Sequence, residues 1–405
     1  MKISVLLPYK ENFSSNYAGA VSLFVKDTIQ NSQFFKSTYV FGNMSFDKPF
    51  LKNYINIDLK KNLLQSNSKN YVLKFLEKEK KINSDIIEIH NRPHYIKYLK
   101  NIERKKIFLY FHNDPLSMSG SSSVKDRMSL LNRIDKILFN SKWSQKRFFI
   151  DIDNEDLLKQ KTAVCYQSTS RTKVNFKNKK KIISFVGKLN SAKGYDLFGN
   201  AVINILNKYR DWRAVVIGDE PREKINFKHK NLKNFGFLTH NKVLEIYKKS
   251  SIAVVCSRWE EPFGRTSLEA SSAGCAVIIS NRGGLPETIT NGLILKNLNI
   301  KSLYKNIDYL IKNPKKRLEY QSKSIKNFYL THNFVSKNID SYRDEKFKYV
   351  NLFNVKKNPS LRILHVTNFN ERHDGRLFFN TGRRINNGLI RLGHSILEFS
   401  DRDIQ

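Results

Sequence analysis

A chain of 405 residues, 40% of them hydrophobic, holds enough apolar material for two domains with cores of their own, which excludes a disordered or stapled mini-protein. Lys and Arg number 72 against 36 Asp and Glu, and a formal charge of +36 raises nucleic acid and anionic membrane as partners. The lysines are scattered among Asn and Ile with no basic arm interleaved with aromatics, so no nucleic acid is expected; a solvated basic surface with some attraction to anionic lipid headgroups accounts for most of them.

Met1 to Pro8 is too short for a signal peptide and reads as a first strand, Ile3 to Leu7. The turn Tyr17-Ala18-Gly19-Ala20 leads into a helix from Ala20 to Gln30, and Thr38 to Phe41 follows as a strand. Two later strands end alike: Asp85 to Ile89 runs into His90-Asn91, and Lys106 to Phe111 runs into His112-Asn113-Asp114. In a parallel sheet both His-Asn pairs would project from the carboxyl edge into one crevice, which makes His90, His112 and Asp114 candidate site residues. Lys136 to Phe139 is a strand feeding a helix with Ser141 as its N-cap. Asp151-Ile152-Asp153, trailed by Asn154-Glu155-Asp156, follows a helix rather than a strand edge and reads as a solvated acidic turn, so no metal site is expected. Thr162 to Tyr166 closes the first half, and the polar, aperiodic stretch Arg171 to Lys181 is a linker.

The second half restarts the alternation. Lys181 to Val186 is a strand, followed by Gly187-Lys188-Leu189-Asn190-Ser191-Ala192-Lys193-Gly194, where glycines permit a tight turn beside a ligand and two lysines can converge on one diphosphate. Ala214 to Ile217 and Leu232 to Phe235 are further strands, with a helix from Asn241 to Lys249. Ile252 to Cys256 is a buried strand that runs into Arg258-Trp259-Glu260-Glu261-Pro262-Phe263-Gly264-Arg265-Thr266-Ser267-Leu268-Glu269; a helix from Thr266 to Ala273 and a strand from Ala276 to Ile279 follow. The loop lies at the carboxyl end of a parallel sheet, where open α/β folds bind ligands. The N–H groups of Gly264, Arg265 and Thr266 form a helix N-terminus suited to an anion, flanked by Glu261 and Glu269. An anion cradle between two carboxylates fits a ligand with phosphates and hydroxyls, such as a nucleotide sugar. Asn281-Arg282-Gly283-Gly284-Leu285-Pro286-Glu287 repeats a Gly turn into a helix, and helices fill Lys301 to Lys348.

At Glu261 to Glu269 the chain resembles glycosyltransferase family 4, retaining enzymes of the two-Rossmann-domain (GT-B) architecture, through the spacing Glu-x7-Glu. The resemblance implies that Glu261 contacts the transferred sugar near the reacting centre, that Glu269 holds the ribose hydroxyls, and that His112 binds the sugar. It implies Lys193 and Lys188 as neutralisers of the leaving diphosphate, with Lys188 standing where the family pattern Gly-Arg-Leu has Arg. Gly19 takes the place of the family's Gly-rich loop over the donor phosphates. The stretch from Gly283 matches the family's Gly-Gly-x-x-Glu, and Gly283 and Gly284 would let the backbone approach the donor sugar. The base ring would lie near Gly236, and the last helix would cross back to the first domain.

The fold class is therefore α/β, two doubly wound Rossmann-like domains facing a cleft: an acceptor-side domain over 1–170 and a nucleotide-sugar domain over 171–330, then a crossing helix and linker over 331–357. Residues 358–405 read as a partial βαβ unit, with a break at Asn358-Pro359-Ser360, a strand from Leu361 to Thr367, a loop from Asn368 to Arg376, a helix from Leu377 to Arg391 and a strand from Ser395 to Phe399. This order mirrors the chain's own start, as in a truncated tandem enzyme. The expected reaction is transfer of a sugar from a nucleotide-diphosphate-sugar to a hydroxyl of a glycan or lipid-linked acceptor with retention, in cell-surface polysaccharide or lipopolysaccharide synthesis, with no cofactor. A sugar-nucleotide epimerase of the same architecture, or a basic nucleic-acid-binding or scaffold protein, are the alternatives. Cys165, Cys256 and Cys275 are odd in number and lack Cys-x-x-Cys spacing, as expected in a reducing compartment, and no apolar run is long enough to span a bilayer. The expected location is the cytoplasm, at most peripheral at the inner face of the membrane.

Overall fold

The computed structural model describes the chain apart from residues 17, 45–47, 60–65, 100, 101, 103, 104, 154–159, 354–359, 368–380 and 401–405; of 346–353 it describes the backbone alone. Two units are present, Met1–Arg343 and Asp344–Gln405.

The first unit contains two parallel sheets. Strands β1 (Ile3–Leu6), β2 (Thr38–Gly42), β3 (Tyr54–Asn56), β4 (Ile86–His90), β5 (Lys106–Phe111), β6 (Lys136–Phe139) and β7 (Thr162–Val164) lie in the order β3-β2-β1-β4-β5-β6-β7. Strands β8 (Lys180–Val186), β9 (Arg213–Ile217), β10 (Leu232–Asn234), β11 (Ser250–Val255), β12 (Ala276–Ser280) and β13 (Leu293–Leu295) lie in the order β10-β9-β8-β11-β12-β13. In each sheet the strand order thus reverses once, between β1 and β4 and between β8 and β11, which is the doubly wound pattern with a crevice at the switch point. The expected pair of Rossmann-like domains is present. Strands such as β1 and β12 are buried along their whole length, because a parallel sheet carries helices on both faces. In β11, Ile252 and Val254 join one apolar cluster while Ala253 and Val255 join another, the period-two signature of a sheet buried on both sides.

Helices α1 (Ala20–Gln30), α2 (Asn67–Ile82), α3 (Val124–Arg133) and α4 (Lys142–Phe148) belong to the first sheet. Ser66, Ser123 and Ser141 cap α2, α3 and α4 by accepting from the amides of Lys69, Asp126 and Ser144. The second sheet carries α5 (Tyr195–Lys208), α6 (His240–Lys249), α7 (Arg265–Ser272), α8 (Ile300–Lys312) and α9 (Pro314–Lys326). The stretch after Gly283-Gly284 is a short 3-10 turn, Leu285–Thr288, rather than a full helix. The strand expected from Asp85 to Ile89 instead begins at Ile86 and includes His90.

Helix α10 (His332–Phe353) returns to the first sheet. Its Ser336 hydroxyl donates to the Thr28 carbonyl (2.9 Å), and Ser32 and the Gln33 amide donate to Asp340 (2.7 and 2.9 Å). Arg343 makes a two-armed pair with Glu88 of β4 (2.8 and 2.7 Å) and also donates to Asp340 (2.8 Å), all three side chains being buried. A buried ion-pair network of this kind is costly to break from one side, leaving a bare charge in the interior.

In the second unit, β14 (Arg362–Thr367) pairs in parallel with β15 (Ser395–Ser400), joined through α11 (Thr381–Arg391). Asn386 of α11 bridges His365 and Glu398, and Arg383 pairs with Glu398 (3.0 Å). Leu364, Val366 and Leu397 on the other sheet face are exposed. Of the segments expected here, Asn358, Pro359, the loop from Asn368 to Arg376 and the start of the helix at Leu377 lie outside the described residues.

Candidate active site

At the carboxyl ends of β8, β9 and β10 stand Gly187, Gly218 and Gly236, all with positive φ. The Gly187 amide donates to Ile217 O (3.0 Å) and the Gly218 amide to Gly236 O (2.8 Å), so the three strand ends are tied edge to edge. A Cβ on Gly218 would fall 1.9 Å from Gly187 O, whereas one on Gly187 would meet nothing within 4 Å. Glycine is therefore required sterically at 218, and at 187 by a φ of +152° that other residues rarely adopt. Gly187 and Gly218 form a floor without side chains under a cleft of about 660 Å³, which Gly236 does not line and to which the second domain also contributes Lys188, Phe237, Arg265, Thr266 and Glu269. The first domain contributes Ser15, Ala18, Leu23 and Lys26. A smaller cavity of about 200 Å³ shares Gly187, Arg265 and Thr266 and adds Lys193, Glu261 and Gly264. Eight of the candidate donor-site residues thus converge, from loops that follow β8 and β11 on either side of the switch point.

Those two loops are laced together. Ala192 O accepts from the amides of Arg258 and Trp259 (2.9 and 3.0 Å), and the Cys256 thiol donates to Gly194 O (3.2 Å). The lacing brings the Lys193 ammonium onto the Glu261 carboxylate as an ion pair. Gly283 and Gly284 line neither cavity, contrary to expectation. Gly284 donates to Glu261 O (2.6 Å), and a Cβ on Gly283 would fall 2.2 Å from that same oxygen, so these glycines pack against the backbone of Glu261 and fix its loop from behind. Glu287, next along, reaches the first domain and caps α4, accepting from the amides of Lys142 and Trp143 (2.7 and 2.9 Å).

Helix α7 starts at Gly264, whose φ of +112° provides the abrupt strand-to-helix turn, and no side chain caps its first amides. One turn on, Glu269 is buried; both of its protein donors, His240 Nε2 (2.8 Å) and Arg265 Nε (2.6 Å), meet the same oxygen, Oε1. Oε2 makes no protein hydrogen bond among the described residues. Burial by itself would raise the Glu269 carboxyl, but the Arg265 charge and the His240 hydrogen bond outweigh it and hold the group below the usual carboxylate range. His240 lies one residue before the helix expected from Asn241 to Lys249 and is the first residue of α6, directly after its N-cap Thr239.

The first-domain candidates are placed differently. Gly19 does not line the cleft, although Ala18 and Ala20 do. Its bare Cα admits the Glu11 carboxylate, which would stand 2.5 Å from a Cβ and which accepts from the Ser22 amide and hydroxyl (3.2 and 2.9 Å) at the start of α1. Tyr17 lies outside the described residues. His90 and His112 do come together, Nδ1 to Nε2 at 3.0 Å, but line neither cavity. Phe24 of α1 packs edge-on to His112 (5.0 Å) and Tyr110 stacks on His90 (4.3 Å), so both imidazoles are enclosed beneath the helix instead of projecting into the crevice. Asp114 pairs with Arg147 (3.0 Å) and caps the turn at Leu116 (3.1 Å), which commits both its oxygens within the first domain. Asp151 has φ +61°, as in a tight turn, and Asn154, Glu155 and Asp156 lie outside the described residues. Among the described residues no group of three or more His, Cys, Asp or Glu is arranged to hold a metal ion.

Residues 167–327 match the family model described as "Glycosyl transferases group 1". The matched stretch holds the second sheet with α5 to α9. It contains Lys188, Lys193, His240, Glu261 and Glu269, whereas Asp114, His90, His112 and Gly19 precede it. The chain is 32% identical over 155 residues to spore coat protein SA of Bacillus subtilis, covering 34% of this chain and 41% of that protein. It is 24% identical over 178 residues to the lipopolysaccharide core biosynthesis mannosyltransferase LpsB of Rhizobium meliloti, covering 40% of this chain and half of the relative. The first of these matches thus spans less than half of the relative's length. Among solved structures, Anabaena Alr3699/HepE in complex with UDP-glucose superposes with a TM-score of 0.66 at 16% identity, over 85% of this chain and 100% of that one. The lipopolysaccharide outer core galactosyltransferase WaaB superposes with a TM-score of 0.62 at 17% identity, over 85% and 100%. At these identities the likeness is one of fold, and the shared fold is GT-B, with the stretch that matches the family model as its second half.

Proposed function

We propose that the protein transfers a sugar from a nucleotide-diphosphate-sugar to a hydroxyl of a glycan or lipid-linked acceptor, with retention at the anomeric carbon, in the synthesis of a cell-surface polysaccharide or lipopolysaccharide. The observation that carries this reading is the Lys193–Glu261 ion pair, which stands in one continuous recess with the amides at the start of α7 and with Glu269. The nucleotide lies over the glycine floor, its ribose hydroxyls donating to Glu269 Oε2, the oxygen the protein leaves open. Its diphosphate meets the α7 amides together with Lys193 and Lys188, donors placed where negative charge grows as the sugar departs; such preorganised groups lower the barrier by stabilising charge only as it develops. Glu261 faces the sugar and holds Lys193 between itself and the leaving group. The acceptor hydroxyl attacks from the leaving-group side and passes its proton to a phosphate oxygen, so no separate protein base is needed. Charge compensation by these residues makes turnover independent of a metal. In this scheme His112 reaches the sugar only if α1 shifts, and Asp114 reaches the acceptor only if it leaves Arg147, since neither borders the recess.

LpsB is named for a lipopolysaccharide core and HepE was crystallised with UDP-glucose, which supports the acceptor class and the donor class respectively. No helix among the described residues is long and apolar enough to cross a membrane, and the charge of +36 favours a peripheral association with anionic lipid on the cytoplasmic side. The test is incubation with UDP-, GDP- and ADP-sugars while following release of nucleoside diphosphate. Slow release from one donor, lost in Lys193→Ala, is expected; no release from any donor and no binding of any nucleoside diphosphate would overturn the reading.

A further inference from the structure

Arg265 does more than border the recess. Its Nε donates to Glu269 Oε1 (2.6 Å), while Nη2 crosses to the other domain and donates to Asp27 Oδ2 on α1 (3.2 Å). The three side chains are 10%, 4% and 7% exposed, so the bridge lies inside the domain interface. Asp27 faces two further basic groups, Lys26 Nζ at 3.2 Å from Oδ1 and His332 Nδ1 at 3.8 Å from Oδ2. Arg265 Nη1 is buried without a hydrogen-bond partner. A guanidinium beside a carboxylate four residues along a helix ordinarily prefers to engage both carboxylate oxygens side-on. Here it touches one oxygen only, because its other arm is held by Asp27.

We infer that Asp27, a residue of the first domain, is a positioning residue for the nucleotide end of the site: by anchoring the far arm of Arg265 it keeps the guanidinium off Glu269 Oε2 and leaves that oxygen open for ribose. The inference rests on the donor-site reading above and adds to it a residue outside both cavities. Without Asp27 the freed guanidinium turns onto both oxygens of Glu269 and competes with the ribose hydroxyls. Because Asp27 and Glu269 belong to different domains, the oxygen is open only while the domains are in contact, which couples nucleotide affinity to closure.

The test uses the full chain, calorimetry with UDP, GDP and ADP, and the 2′,3′-dideoxy form of whichever binds. Asp27→Asn is expected to lower affinity for the ribonucleotide at least about five-fold, a typical coupling between linked sites. It should leave the weaker dideoxy form unchanged, and Asp27→Glu should stay near the wild type. A merely structural role would weaken both nucleotides alike, and that result, or an unchanged ribonucleotide affinity, would overturn the inference while leaving the transferase reading intact. Wild-type protein that binds none of the three would overturn both. If Asp27→Asn does not fold, Arg265→Lys, which keeps the charge but lacks the fork that spans Glu269 and Asp27 through separate nitrogens, must give the same selective loss, and an equal loss for both nucleotides would again refute the inference.

Discussion

Acidification should destabilise the first domain well before its carboxylates titrate. Burial pulls His90 down to about 3, with the Arg343 charge acting in the same direction, and burial together with His90 pulls His112 well below its ordinary value. The groups around the pair are Phe24 from α1, Tyr110 from β5, and Glu88 of β4 already matched by Arg343 of α10. None offers a free negative charge to an imidazolium. Below about pH 6.5 the unfolded chain therefore binds a proton at each imidazole that the native protein does not. The stabilising contribution is complete above that pH and declines as the pH falls towards 3. Each such histidine costs about 1.4 kcal/mol per pH unit in that window, so the pair should cost about 2.7 kcal/mol between pH 7.5 and 5.5. Urea midpoints from circular dichroism at pH 7.5, 6.5 and 5.5 measure this. A His90→Gln/His112→Gln variant keeps every other histidine, including His94 and His332, which burial also lowers, and should lose this part of the pH dependence. Identical pH dependence in the wild type and the double variant would refute the reasoning.

Glu269→Ala should weaken nucleoside diphosphate binding by about 2 kcal/mol, some tens-fold, as expected for loss of a charged acceptor, and calorimetry that shows unchanged affinity would contradict the site. Glu287→Ala leaves two α4 amides without their carboxylate and removes a tie between the domains; turnover should fall while nucleotide affinity measured by calorimetry stays within about two-fold, a difference of some 0.4 kcal/mol. Turnover should survive a chelator, and loss that is restored by magnesium or manganese would show that Lys188, Lys193 and the α7 amides do not suffice.

Most strands were legible because each is a short apolar run closed by a glycine, a proline or a polar pair, and a parallel sheet buried on both faces needs such runs. Helix α2 was not, because its inward face mixes Tyr71, Val72 and Phe75 with Glu79, whose carboxylate accepts from Ser84 and pairs with Lys105. Its apolar stripe is too thin to stand out among lysines, and only the tertiary partners make Glu79 tolerable inside. Strands β3 and β13 are three residues long at sheet edges, too short to carry a period. In the site, Glu261, Gly264 and Glu269 were legible because a single loop and helix hold them. Asp27 lies 238 positions from Arg265, and His240 lies 29 from Glu269, so no local pattern links them. The histidines show a different gap. Glu88 and His90 share one face of β4, and Tyr110 lies opposite His90 in register, with His112 two residues further along. Strand parity therefore already committed both rings to the face under α1 and α10, even though their position at the strand ends pointed to the crevice.

The charge of this chain is distributed in a way that its total conceals. Among the described residues six carboxylates are buried, those of Asp27, Glu79, Glu88, Glu261, Glu269 and Asp340, against three buried Lys and Arg side chains, Arg127, Lys136 and Arg343. The scarcer sign is thus the one drawn inside, where it ties α10 to β4, holds Lys193 at the recess and spans the domain interface. Every acid taken inward makes the outer surface more basic than the formal +36 implies. That outer field can raise the local concentration of any anion, whether nucleotide or lipid headgroup, but it is screened over about 8 Å at physiological salt and cannot tell one anion from another. Under the proposed reading, selection comes from the few carboxylates inside, because a hydroxyl-bearing, anionic donor would satisfy Glu269 Oε2 and the α7 amides together.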